Sequence, residues 1–168
     1  MSESLGLGAE DRQVLEYSAL LHDIGLVGAP RNLIKKWQET PDALTAAERA
    51  LIHQHPVLGE ELVRFMHHLE PVGRLIRAHH ERYDGSGYPK GLKAGQIGLF
   101  GSIAGLVDCF DAMTHPRPYA EVYSPSNALN HLYSMRNVQF DGPLVEQFVQ
   151  CIGIFPVGAL VELNSGEV

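Results

Sequence analysis

At 168 residues the chain can bury one substantial core but not two ordinary domains. Thirteen Lys and Arg against twenty Asp and Glu leave a formal charge of -7, which works against binding a nucleic acid polymer. An apolar fraction of 45% beside 20% charged residues describes a folded chain, and no apolar run is long enough to span a bilayer.

The segment Met1 to Ala9 has no basic stretch leading into an apolar run, so it does not read as a secretion signal, and cytoplasm is the expected location. The only cysteines, Cys109 and Cys151, fall inside apolar helical patterns and are expected to be buried thiols rather than a disulfide.

From Glu10 to Leu21, apolar residues at Val14, Tyr17, Ala19, Leu20 and Leu21 predict a helix that delivers His22 and Asp23 at its end. Gly25, Gly28 and Pro30 then predict a loop, with a short helix over Arg31 to Trp37 behind it. Thr45 and Glu48 have capping-box spacing, and the helix they start is expected to end near His53. Pro56 suits the first turn of the next helix, with His55 at its entrance. Glu70-Pro71 opens a helix whose face runs through Val72, Leu75 and Ile76 to the pair His79-His80.

Residues 82 to 101 hold six glycines and Pro89, which predicts the main loop. Helical spacing resumes at Ile103 and carries Asp108 and Asp111. Ser124-Pro125 and Gly142-Pro143 open two further helices, to about Arg136 and Ile152. Val157, Leu160, Val161 and Leu163, followed by Asn164-Ser165-Gly166, read as a strand entering a hairpin turn. The expected fold is all-α, a helical bundle with a short C-terminal strand or partial hairpin.

Phosphodiester hydrolysis at neutral pH needs an activated water and an offset for the charge of the attacked group, and a pair of metal ions supplies both. Imidazoles and carboxylates suit such ions. His22 and Asp23 project about 100° apart on a helix, so each can serve a different coordination direction. Alone the pair satisfies no ligand set; with His55, His79, His80 and Asp108 it becomes six ligands that a bundle can converge on one cavity.

The ordered series His22-Asp23-Ile24-Gly25, His55-Pro56-Val57-Leu58-Gly59, His79-His80-Glu81, Asp84-Gly85-Ser86-Gly87-Tyr88-Pro89, and Asp108 through Asp111-Ala112-Met113-Thr114 to Arg117-Pro118-Tyr119 resembles the HD-GYP domain family, over residues 12 to 150. The resemblance implies an all-helical bundle of the HD-domain type that binds two or three metal ions, commonly iron or manganese. Its implied activity is hydrolysis of cyclic di-GMP to a linear dinucleotide or GMP. By the same resemblance His22, Asp23, His55, His79, His80 and Asp108 are metal ligands, with Asp23 the bridge, and a metal-bound hydroxide is the nucleophile.

Arg117 matches a family arginine that contacts ligand phosphate, a surface salt bridge being the competing reading. Gly85, Gly87, Tyr88 and Pro89 form a loop that in similar proteins borders the active site and is proposed to contact protein partners such as cyclic di-GMP synthases; a plain structural turn competes with that. Lys90 is a candidate ligand or partner contact. Asp111, one turn from Asp108, is a candidate to orient a ligand from behind or to buttress the loop. His53, His67, His68, His115 and His131 match no motif position and are expected to be solvated or locally hydrogen-bonded.

Three positions depart from the family pattern. Leu26 replaces a lysine and Ala120 a basic residue, which leaves the pocket less cationic. No histidine precedes His22 to supply the family's upstream ligand, so one metal site is expected to be incomplete. The expected organisation is a domain over residues 1–152 lacking its first helix, then a strand-like extension over 153–168, the whole a piece of a longer protein. The alternative function is a catalytically impaired domain that holds metal or nucleotide and acts through protein partners.

Overall fold

A computed structural model describes residues 5–116 and 122–153 of the chain. Eight α-helices occur among the described residues: α1 Ala9–Leu21, α2 Arg31–Glu39, α3 Ala46–Ile52, α4 His55–Arg64, α5 Glu70–Ala78, α6 Leu99–Thr114, α7 Pro125–Ser134 and α8 Gly142–Ile152. Short 3-10 turns cover Ile24–Gly28, Pro41–Ala43, His67–Leu69 and Ala94–Gln96. The all-α expectation is met. The expected strand, along with Arg117 and Ala120, falls outside the described residues. Among those residues no helix is long and apolar enough to cross a membrane.

Helix starts follow from local chemistry. Proline stands in the first turn of α4, α5, α7 and α8, where its missing N–H costs no hydrogen bond. Ser124 Oγ accepts from the Asn127 N–H at 3.2 Å, and Asp141 Oδ1 from the Leu144 N–H at 3.0 Å. Helix α6 begins at Leu99, inside the stretch expected to be loop. Gly98, at φ +77°, sets its entrance, and Gly101 lies within its first turn. A Cβ on Gly101 would stand 2.9 Å from the Ala78 Cβ, and one on Gly105 2.6 Å from the His79 carbonyl oxygen. Gly101 and Gly105 are contact points that let α6 lie against the end of α5, so Gly101 reads wrongly as a breaker.

Helix α5 is central, packing on α1, α4 and α6. Its buried Val72 and Ile76 join Val63 and Leu69, with Val14 and Leu21 of α1 against them. A larger cluster of Ile103, Leu106, Leu129, Leu132, Phe140, Val145 and Phe148 ties α6 to α7 and α8. Fully burying a side chain such as Ile76 or Leu106 stabilises by about 1.5–3 kcal/mol. Cys109 and Cys151 are half-buried rather than buried thiols.

A third cluster, Leu33, Leu44 and Ile52 with Leu26 and Trp37, seats α2 and α3 over one side of the bundle. The Thr45 capping box is present, and Glu48 also receives Lys36 Nζ at 2.8 and 2.9 Å, which links α2 to α3. The Lys36 hydrogen bonds, then those from Thr45, lower the Glu48 pKa to about 2. A carboxyl depressed on folding contributes stability above its unfolded pKa that is lost as pH falls toward the folded value. Glu48→Gln should therefore lower the thermal midpoint at pH 7, with the gap from the parent shrinking below about pH 4.5 and closing near pH 2, as followed by circular dichroism melts. A gap independent of pH would show that charge plays no part in this link.

Candidate metal centre

The six predicted ligands come from four places in the bundle. His22 and Asp23 follow α1, His55 is the first residue of α4, His79 and His80 follow α5, and Asp108 lies on α6, one turn beyond the Gly105 contact. The last carbonyls of a helix lack intrahelical donors. Three histidines use them: Nδ1 of His22 donates to the Ala19 carbonyl at 2.8 Å, Nδ1 of His55 to Ile52 at 2.8 Å, and Nδ1 of His79 to Ile76 at 2.6 Å. A carbonyl only accepts, so each Nδ1 carries a proton, and in the neutral ring Nε2 keeps a bare lone pair.

Those lone pairs converge. His55 Nε2 lies 3.4 Å from His79 Nε2 and 3.3 Å from Asp23 Oδ1. Asp23 Oδ2 is 3.4 Å from His22 Nε2, so the two oxygens of one carboxylate face two different imidazoles. Asp108 spans a second pair, with Oδ1 3.8 Å from His22 Nε2 and Oδ2 3.9 Å from His80 Nδ1. One ligating atom from each of Asp23, His55, His79 and His80 lies within 4.8 Å of the others.

This donor set fits a cation. Two imidazole nitrogens whose protons are held elsewhere cannot hydrogen-bond to each other, and their lone pairs repel unless a positive charge lies between them. Ligand atoms about 2.1 Å from a shared ion stand roughly 3.0–3.4 Å apart, the spacing found among His22, Asp23, His55 and His79, whereas Asp108 stands farther off at 3.8 and 3.9 Å. Buried His80 Nε2 has no hydrogen-bond partner among the described residues. Burial lowers the pKa of His79 to about 3 and also depresses His55 and His80, so all three are neutral at pH 7, the form that ligates.

A cavity of about 480 Å³ between α1 and α6 opens beside the cluster, lined by Leu15, Ala19, His22, His79, Val107 and Asp108 among others. Asp111 reaches its rim, but its carboxylate pairs with His115 at 3.0 Å rather than with a member of the six. Leu26 packs into the Leu33, Leu44 and Ile52 cluster, so its side chain fills an apolar seat instead of leaving a vacant phosphate contact.

The Gly-Tyr-Pro loop turns inward. Glu81, 4% exposed, accepts the Lys90 and Leu92 N–H groups at 2.8 Å each and draws the loop back onto the end of α5. Gly85 has φ +84°, and a Cβ on Gly87 would meet the backbone of residues 80 to 82. Tyr88 donates its N–H to the His80 carbonyl at 3.1 Å and lays its ring 4.7 Å from the His80 ring; Pro89 is half-buried beside it. Lys90 is exposed and joins the site only through its backbone.

Sequence reasoning set His53 aside, yet its ring stacks on Tyr88 at 3.8 Å with 5° between planes. No spacing signal marks it. The anchoring role of Glu81 was also missed, although the residue was visible in His-His-Glu. Among the other histidines set aside, His115 pairs with Asp111, His131 stacks on Tyr123 at 5.8 Å, and His67 and His68 are exposed.

An all-helical bundle thus brings Asp23, His55, His79 and His80 into one group that could hold a metal ion, with His22 and Asp108 beside it. The model of the HD domain family matches residues 1–144, and the chain belongs to that family, in the HD-GYP branch that its ordered motifs define. It is 38% identical over 156 residues to the cyclic di-GMP phosphodiesterase response regulator RpfG of Xanthomonas campestris, a match covering 89% of this chain and 39% of that protein. It is 36% identical over 151 residues to the cyclic di-GMP phosphodiesterase PA4108 of Pseudomonas aeruginosa, covering 89% of this chain and 35% of that one. The chain thus spans well under half the length of either relative. The fold is shared with Bd1817, an HD-GYP-type protein of Bdellovibrio bacteriovorus, at a TM-score of 0.68 and 23% identity, covering 90% of this chain and 47% of that one.

Proposed function

We propose that the domain over residues 1–152 is a metal-dependent phosphodiesterase that hydrolyses cyclic di-GMP to the linear dinucleotide or GMP. The observation that carries this is the facing pair of His55 and His79 Nε2 atoms, 3.4 Å apart with both protons held by backbone carbonyls. In this reading His22, Asp23, His55, His79, His80 and Asp108 would hold two ions, iron or manganese, and Asp23, whose two oxygens face different imidazoles, would serve both. When bound, such ions lower the pKa of water and offset phosphate charge. The names of RpfG and PA4108 support the substrate class.

The chain's own groups have separable tasks. The buried imidazoles stay neutral and oriented, and the two carboxylates offset the charge of the ions. The Tyr88 ring packs against that of His80 and forms one wall of the centre. Arg117 is assigned to a phosphate oxygen, where its planar fork suits bidentate contact. Lys90, with Ser86, is the outward part of the loop, open to substrate or to a partner such as a cyclic di-GMP synthase domain.

A second reading, a domain that binds metal and nucleotide without turnover, is favoured by Leu26, whose apolar seat offers phosphate no cation. The two separate in one assay. Anaerobically purified protein loaded with Mn²⁺ or Fe²⁺ is given cyclic di-GMP, cyclic GMP-AMP and a generic phosphodiester. Preferential cleavage of cyclic di-GMP is the expected result. Bound metal with no cleavage of any substrate would establish the second reading, and absence of bound metal would overturn both.

A further inference from the structure

We infer that His53 is a positioning residue for the metal ligand His80, acting through the ring of Tyr88. The inference rests on the metal-centre reading above and concerns how one ligand is aimed.

His80 is held unlike its companions. The rings of His22, His55 and His79 are each fixed by an Nδ1–H bond to a backbone carbonyl three residues earlier. His80 has no such tether. Its buried Nε2 has no hydrogen-bond partner among the described residues, and its Nδ1 lies 3.9 Å from Asp108 Oδ2, beyond hydrogen-bonding distance. What flanks its ring is aromatic: His79 with centroids 3.9 Å apart, His55 edge-on at 5.0 Å, and Tyr88 at 4.7 Å with 30° between planes. Tyr88 is pressed against His80 by His53, whose ring lies parallel to it at 3.8 Å. Ring packing, with Tyr88 backed by the stacked His53, therefore does for His80 what carbonyls do for the other three.

The chain makes this clamp from two directions. His53 caps the C-terminus of α3 in helical conformation, its N–H bonded to the Arg49 carbonyl, so its backbone is fixed just before the turn into α4. Tyr88 is fixed from behind by its N–H bond to His80 and by the Glu81 carboxylate that draws in the rest of the loop. Two anchored backbones leave the rings little freedom except face to face, an arrangement aromatic rings favour when offset. Groups behind a metal ligand that set its orientation typically govern 10–100-fold of affinity.

The test compares the parent with His53→Ala and His53→Phe, reading Mn²⁺ affinity by calorimetry and helical content and melting by circular dichroism. His53→Ala should keep the helical signal and bind Mn²⁺ about ten-fold or more weakly. His53→Phe, which keeps a flat ring, should recover most of the lost affinity. Parent-like affinity in His53→Ala, or no recovery in His53→Phe, would overturn the clamp while leaving the metal reading intact. A parent that binds no Mn²⁺ would overturn both.

Discussion

Asp23→Ala is expected to remove metal and hydrolysis together while leaving the helices in place. The two Asp23 oxygens lie 3.3 Å from His55 Nε2 and 3.4 Å from His22 Nε2, so this single carboxylate serves both halves of the cluster. Without it the His55 and His79 lone pairs still face each other, and the centre loses negative charge where cations would sit. The loss should exceed the roughly 10–100-fold attached to a group behind a ligand, since Asp23 faces the ions themselves. The fold should tolerate the change because Asp23 is 44% exposed and belongs to none of the apolar clusters. Metal per chain after dialysis measures the first effect and circular dichroism the second. The Trp37 ring, 6.5 Å from that of His55, supplies an emission probe for a quenching ion. A variant that kept its metal would remove Asp23 from the centre, and one that unfolded would make its role structural.

The helices were legible because their signals are local: prolines in first turns, capping pairs and apolar spacing lie within a few residues of what they determine. The start of α6 was not, because Gly98 and Gly101 look alike in sequence and do different things. Gly98 turns the backbone at φ +77°, whereas Gly101 makes room for Ala78 of another helix, a fact of packing. The candidate ligands could be named from ordered motifs, but their convergence depends on α5 lying between α1, α4 and α6. His53 shows the limit most clearly. A residue at a helix C-cap points where the following turn sends it, and its partner Tyr88 arrives from a distant loop. Leu26 teaches the reverse lesson, since an absent charge was read as an empty contact until the Leu33, Leu44 and Ile52 cluster showed what the side chain fills.

The largest effect on stability is expected from Gly25→Ala. Gly25 is buried in the 3-10 turn behind Asp23, where a Cβ would stand 2.6 Å from the Gly59 nitrogen and closer still to the His55 carbonyl oxygen. Both neighbours are backbone of α4, so no flexible side chain can give way. This closeness of turn and helix also brings Asp23 within 3.3 Å of His55. Relieving the clash must move one from the other, so the cost falls on packing and on the metal centre at once. Overpacking costs typically 1–3 kcal/mol and occasionally more, and contact with rigid backbone places this case at about 3 kcal/mol or above. Gly28→Ala, in the same turn, is the control: its Cβ would meet only Leu58 Cδ1, at 2.9 Å, the end of a side chain that can rotate. Urea unfolding should therefore separate the two variants widely, and Mn²⁺ titration should show weakened binding in Gly25→Ala alone. Equal losses in both would mean that the turn as a whole, rather than its contact with the start of α4, holds Asp23 in place.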